Sequence, residues 1–219
     1  MMQSPECFET ELLIVDYGVG NVGAIRNMLE YLGFESKISD CPKEIKNAKK
    51  IILPGVGAFD TAMNLLNQKD LIGPLSDAAL VRRVPILGIC LGMQLLAKSS
   101  QEGIRQGLGW LDTEVKKINV SANSRLKVPH IGWAEVEITR ANNLLAQDQS
   151  VQRFYFDHSY YMVCKTEEIV TATFSYDGNR CCAVQENNVY GVQFHPEKSH
   201  RFGLQLLRNF ALLPIQGTA

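Results

Sequence analysis

Pro85-Ile-Leu-Gly-Ile-Cys-Leu-Gly-Met-Gln-Leu-Leu-Ala-Lys98 is the stretch on which the fold turns. Its first part, Pro85 to Cys90, carries no charge and has the length and apolar character of a strand buried on both faces. Its second part, Leu91 to Lys98, reads as a helix. The same passage occurs twice upstream. Leu12 to Tyr17 (LLIVDY) runs into a glycine-rich turn, and Asn21 to Leu32 then sets Ile25, Met28, Leu29 and Leu32 at helical spacing. Lys50 to Leu53 (KIIL) precedes Pro54-Gly55-Val56-Gly57, and a helical stretch follows through Ala62, Leu65 and Leu66. Three strand-to-helix passages predict an α/β fold, with a mostly parallel central sheet flanked by helices. Beyond Gly107 the texture changes to apolar, β-branched segments at Glu114 to Ile118, Ala134 to Ile138, Ile169 to Phe174 and Ala183 to Phe194. Turn residues such as Asp177-Gly178-Asn179 separate them, which predicts antiparallel strands added to the same domain. A last helix, roughly Ser199 to Leu212, presents Phe202, Leu206 and Phe210 on one face.

The chain of 219 residues is long enough for one well-buried domain, expected over 12–213, with an N-terminal extension at 1–11 and a C-terminal tail at 214–219. A hydrophobic content of 46%, a charged content of 21% and a net charge of -1 provide no basic field for a nucleic acid. No basic n-region precedes an apolar run at the start, and no stretch stays apolar long enough to span a bilayer, so a cytoplasmic location is expected. Six cysteines (Cys7, Cys41, Cys90, Cys164, Cys181, Cys182) fall at irregular positions without a C-x-x-C pair, which predicts reduced thiols. Adjacent Cys181 and Cys182 would point to opposite faces of a strand. His130, His158 and His200 lack ligand spacing to another His or Cys, so no metal site is expected.

Gly88-Ile89-Cys90-Leu91-Gly92 is a G-x-C-x-G between a strand and a helix. A nucleophile elbow needs small flanking residues because the chain turns sharply around a strained reactive residue. At a helix amino terminus the dipole and free N–H groups stabilise a thiolate, and the Leu91 N–H would face a developing oxyanion. Alone, the pattern fits equally a buried structural cysteine whose glycines allow close packing. Gly191 to Ser199 (GVQFHPEKS) adds a histidine at a strand end and a carboxylate two residues on, across a stiffening proline. His195 could accept a thiol proton and Glu197 could hold its tautomer; by itself the segment would be a surface turn capping the terminal helix. Together they give nucleophile, base and orienting group: Cys90, His195 and Glu197.

Two other patterns compete. Gly18, Gly20 and Gly23 form G-x-G-x-x-G after the first strand, with Asp40 near the end of the second, as in a dinucleotide site. That reading leaves Cys90 and His-Pro-Glu unused. A hydrolase of Cys-His-Asp type would need its acid between nucleophile and histidine, where Asp157 lies, whereas the nearest acid here follows the histidine.

With Cys90 in GICLGMQLL and the later FHPE, the chain resembles the class I (triad) glutamine amidotransferases. DYGVGN, PGVGAF (Pro54 to Phe59), KVPHIGW (Lys127 to Trp133), FYFDHSYY (Phe154 to Tyr161) and GVQFHPEKS are similar more narrowly to the glutaminase subunits of imidazole glycerol phosphate synthases. The resemblance runs from about Leu12 to Leu212. It implies that Gly55, Val56 and Gly57 form an oxyanion strand and that Gln94 and Tyr155 bind glutamine. It implies also that Asn21, Trp133 and Lys198 face a synthase subunit, and that no cofactor is needed. The implied partner is a (β/α)8-barrel cyclase acting in histidine biosynthesis. Ala134 after the Gly-Trp pair, the aspartate of FYFDHSYY and the segment GLGWLDTEV depart from the usual form. They leave a sugar amidotransferase of surface-polysaccharide synthesis as the alternative partner.

Overall fold

The computed structural model describes residues 12–145 and 151–215. The extension expected at 1–11, with Cys7, and the end of the tail at 216–219 lie outside these residues.

The first half alternates as the spacing predicts: β1 (Leu12–Val15), α1 (Val22–Tyr31), β2 (Lys37–Ser39), α2 (Pro42–Asn47), β3 (Lys50–Gly55), α3 (Phe59–Gln68), α4 (Ile72–Ser76), β4 (Ile86–Cys90) and α5 (Leu91–Leu95). Then come β5 (Ser99–Ser100), β6 (Thr113–Lys117), β7 (His130–Ile138), β8 (Gln152–His158), β9 (Tyr160–Cys164), β10 (Val170–Ser175), β11 (Asn179–Glu186), β12 (Val189–Val192) and α6 (His200–Ala211). The main sheet runs β2-β1-β3-β4-β12-β11-β10-β7-β8. It is parallel from β2 to β12 and antiparallel from β12 to β8. A small sheet, β5-β6-β9, packs against β11.

Strands β1, β3 and β4 are buried on both faces because, apart from Lys50 at the start of β3, they carry no charged or polar side chain, whereas the edge strand β2 is partly exposed. Leu13, Val15, Ile51, Leu53 and Ile86 enter the core on one face; Leu12, Ile14, Ile52, Leu87 and Ile89 enter it on the other. Side chains alternate across a pleated strand, so one continuous apolar run feeds two cores.

Two sequence expectations change. The run from Ala183 to Phe194 is two strands, β11 and β12, because its polar middle, Gln185 to Asn188, contains a turn in which Asn187 takes φ 54°. The helix expected over Leu91 to Lys98 stops at Leu95. There the Leu96 and Ala97 N–H groups tighten onto the carbonyls three residues back, Met93 O and Gln94 O, both at 3.1 Å, and Lys98 N–H donates to Thr113 O at 3.0 Å instead of continuing the helix. The adjacent cysteines face opposite ways, as expected of successive strand residues. Cys181 packs on one core and Cys182 on the other, while the Cys181 and Cys164 sulfurs stand 4.0 Å apart as free thiols.

Candidate active site

β4 delivers Cys90 to the end of the sheet with φ 54° and ψ -110°, a conformation a non-glycine residue holds only where its surroundings impose it. The surroundings are β3 and the two flanking glycines. A Cβ on Gly92 would run into the Leu53 carbonyl oxygen, and one on Gly88 would stand 2.7 Å from Gly92 O. Close packing and the strained backbone of Cys90 are therefore the same feature. Gly55, the last residue of β3, lies beside Cys90 in parallel register, and Gly57 two residues on takes φ 94°.

His195 arrives from the other direction, past the end of β12, at the start of a short 3-10 turn Pro196–Lys198. Its Nδ1 is 2.8 Å from Glu197 Oε1, and both side chains are almost fully buried. That bond places the proton on Nδ1 and leaves Nε2 for the thiol side. Burial alone would lower the His195 pKa; hydrogen bonds with Cys90 and Glu197 and the charge on both partners outweigh it and raise it to about 10. The protonated ring is thus favoured, and that form can hand a proton to a leaving group.

The histidine's backbone is fixed by β8. His195 N–H donates to Tyr155 O at 2.8 Å. The fully buried Ser199 hydroxyl donates to His195 O at 2.6 Å and accepts the Tyr155 N–H at 3.0 Å.

A cavity of about 360 Å³ joins these groups, within the range of small-molecule sites. Cys90, His195, Val56, Gly57, Leu91, Gln94 and Lys198 line it, as do Glu102, Asp157 and His158. Gln94 is buried, and its amide nitrogen donates to Tyr160 O and to Gln193 Oε1, both at 3.1 Å. Only its oxygen remains to accept from a ligand. Gln193, fully buried, also places its amide nitrogen 3.7 Å from the Cys90 sulfur. Tyr155 does not line the cavity. Its ring stands edge-on to Trp133, 6.2 Å between centroids, with the Lys198 ammonium 5.3 Å from its centre. Trp133 is 40% exposed and stacks on His200. Lys198 Nζ is 4.0 Å from Asp157 Oδ2. Asn21 is exposed at the start of α1, which packs against the Pro196–Lys198 turn.

The competing readings find no support in this geometry. Asp40 is bound to Lys69 at 2.6 Å, and the DYGVGN loop lies against Pro54 near the end of β3, since a Cβ on Gly20 would come 3.2 Å from Pro54 Cγ. Glu197, and not Asp157, holds the histidine. His158 and His130 are buried, with His158 Nδ1 donating to Tyr160 O at 2.7 Å and its Nε2 3.3 Å from His130 Nδ1. Burial pushes both down, His158 to about 3 and His130 to about 4, so they are neutral. Among the described residues, no group of three or more His, Cys, Asp or Glu is placed to hold a metal ion. No described helix is long and apolar enough to cross a membrane. Gln193 and Ser199 are buried and Glu102 is half-buried, and each meets a partner far along the chain, Cys90, Tyr155 and Phe59 respectively.

Comparison with known proteins gives the same picture. The family model for glutamine amidotransferase class-I matches residues 13–213. The "Imidazole glycerol phosphate synthase subunit HisH" of Leptospira interrogans is 50% identical over 201 residues, covering 91% of this chain and 98% of that protein. The "Imidazole glycerol phosphate synthase subunit HisH 2" of Pseudomonas aeruginosa is 42% identical over 202 residues, covering 92% of this chain and 99% of that protein. A solved structure described as a glutamine amidotransferase superposes with a TM-score of 0.72 at 20% identity, covering 91% and 96% of the two chains.

Proposed function

Because the chain belongs to the class I glutamine amidotransferase family, we propose that it is the glutaminase subunit of an imidazole glycerol phosphate synthase, which hydrolyses glutamine and passes the ammonia to a partner subunit. The observation that carries the chemistry is a strained Cys90 in one cavity with a His195 whose Nδ1 is held 2.8 Å from Glu197. In this reading Cys90 sulfur attacks the side-chain carboxamide carbon of glutamine. The N–H groups of Leu91 and of the Gly55-Val56-Gly57 strand hold the oxyanion. As the C–N bond breaks, His195 gives its proton to the departing ammonia, leaving a γ-glutamyl thioester. Water, deprotonated by the now neutral His195, releases glutamate and restores the thiol.

Gln94 Oε1 and Glu102, which line the cavity, accept from the α-ammonium group of the substrate. Tyr155 serves through its backbone, by placing His195. Trp133, Lys198 and Asn21 form the partner surface, in which an aromatic anchor and a charge carry the contact. The partner is a (β/α)8-barrel cyclase of histidine biosynthesis, the pair working in the cytoplasm. The whole span 12–213 acts as one domain.

A free glutaminase with a formed oxyanion hole would waste glutamine, so the isolated chain should release glutamate slowly. The test is to mix the purified chain with the cyclase and its phosphorylated ribulosyl acceptor, or with a sugar amidotransferase and its acceptor, and to measure glutamate. Strong stimulation by the cyclase is expected. Stimulation by the sugar enzyme alone, or full-rate turnover by the chain alone, would contradict the assignment.

A further inference from the structure

Glu102 lines the cavity from a loop just past β5. Its Oε2 accepts the N–H of Phe59, the first residue of α3, at 2.9 Å, which leaves Oε1 for a ligand. Its own N–H donates to Ser100 Oγ at 3.1 Å. Beyond Glu102 the loop has little apolar packing to hold it, since Ile104 is 92% exposed. Asp60 holds it instead. Asp60 Oδ2 accepts the Ile104 N–H and Oδ1 the Arg105 N–H, both at 3.0 Å. These two backbone bonds keep the carboxyl below the usual carboxylate range, so it is ionised at neutral pH. Gly103 makes room for the contact: a Cβ there would fall on the Asp60 carboxylate, and its backbone is not in the left-handed region, so glycine is required by space alone.

Two consecutive residues in the first turn of α3 thus grip one loop at both ends. The Phe59 N–H takes the Glu102 carboxylate, and the Asp60 carboxylate takes the N–H groups two and three residues further on. A carboxylate that must be ordered when an ammonium group arrives spends part of the contact on that ordering, whereas one already held does not. We propose that Asp60 is a positioning residue for substrate recognition: by tying the 104–105 backbone to α3, it fixes where Glu102 meets the α-ammonium group of glutamine. The inference rests on the glutaminase reading and adds to it the group that aims one of its ammonium acceptors.

In the complex with the partner subunit, Asp60→Ala should raise KM for glutamine about fivefold to tenfold, the worth of one net hydrogen bond. Both lost bonds lie at the surface and leave no buried group unpaired, so kcat and the thermal midpoint should hold. Gly103→Ala keeps the charge of Asp60 but fills the place of its carboxylate, and it should raise KM as well, which separates aiming from attraction by charge alone. Asp60→Asn retains one acceptor oxygen and should recover part of the loss. With Glu102→Ala already present, Asp60→Ala should lower kcat/KM no further, because the group it aims is gone. An unchanged KM in Asp60→Ala, a fall in kcat or midpoint in its place, or a full further loss on top of Glu102→Ala would overturn the positioning role while leaving the glutaminase reading intact. Glutamate release by the wild-type complex that does not depend on Cys90 would overturn both.

Discussion

The two halves of the main sheet make the site by different means. The parallel half, β2 to β4, contributes what sits at its strand ends: Cys90 at the tip of β4 and the glycine strand after β3. Its working parts are local turns, and a local turn is written in consecutive residues. Strands β8 and β9 contribute backbone atoms. Tyr155 O fixes His195, Tyr160 O fixes Gln94 and His158, and Asp157 O lies 3.9 Å from the Cys90 sulfur. β12 is the seam, parallel to β4 on one side and antiparallel to β11 on the other, and it carries the histidine to the cysteine. Cys90 is thus placed by its own sequence, and His195 by the backbone of strands distant along the chain.

The first way to break this contrast is Gly92→Ala. A methyl there meets the Leu53 carbonyl, a backbone atom that cannot step aside, so the elbow has to open. Glutaminase activity should fall at least a hundredfold, the scale on which misplacing reacting groups is felt, and stability should drop by about 1–3 kcal/mol as in other overpacked cores. Activity assays and thermal denaturation of the purified variant read both effects. Near-normal activity would mean that the elbow is not held by this packing.

Ser199→Ala probes the other half and should do less. It removes the hydroxyl that joins His195 O to Tyr155 N–H, leaving a buried N–H without its acceptor. A loss of about 1–3 kcal/mol in stability is expected. A roughly tenfold loss of kcat should accompany it, because His195 keeps its bonds to Glu197 and to Tyr155 O. Loss of stability with unchanged kcat would show that the β8 backbone holds the turn together but does not aim the base.

The same contrast explains what the sequence disclosed. Leu12 to Tyr17, Lys50 to Leu53 and Pro85 to Cys90 are uniformly apolar, and each is followed by glycines and a helical repeat. Strand, turn and helix could therefore be read in order. Gly88, Cys90, Gly92, His195 and Glu197 were legible because each stands in a short run of consecutive residues, G-x-C-x-G between strand and helix and His-Pro-Glu at a strand end. Tyr155 was assigned to the substrate, yet its ring belongs to the Trp133 and Lys198 cluster, and its carbonyl and N–H reach the site. A backbone atom has no residue signature. Gln193 and Ser199 escaped for a related reason: each is a short polar residue whose meaning depends on a partner 103 or 44 positions away.

The central claim is that Cys90, set by the parallel half, attacks the side-chain carboxamide of glutamine, with His195, set by the antiparallel half, as the acid that protonates the departing ammonia. Quenching the chain and its partner during turnover of glutamine, then mapping the modified peptide by mass spectrometry, tests it directly. The account predicts one γ-glutamyl group on Cys90 in the wild type and none, with no glutamate released, in Cys90→Ala. Glutamate release that survives Cys90→Ala, or a glutamyl group carried by any other residue, would contradict it.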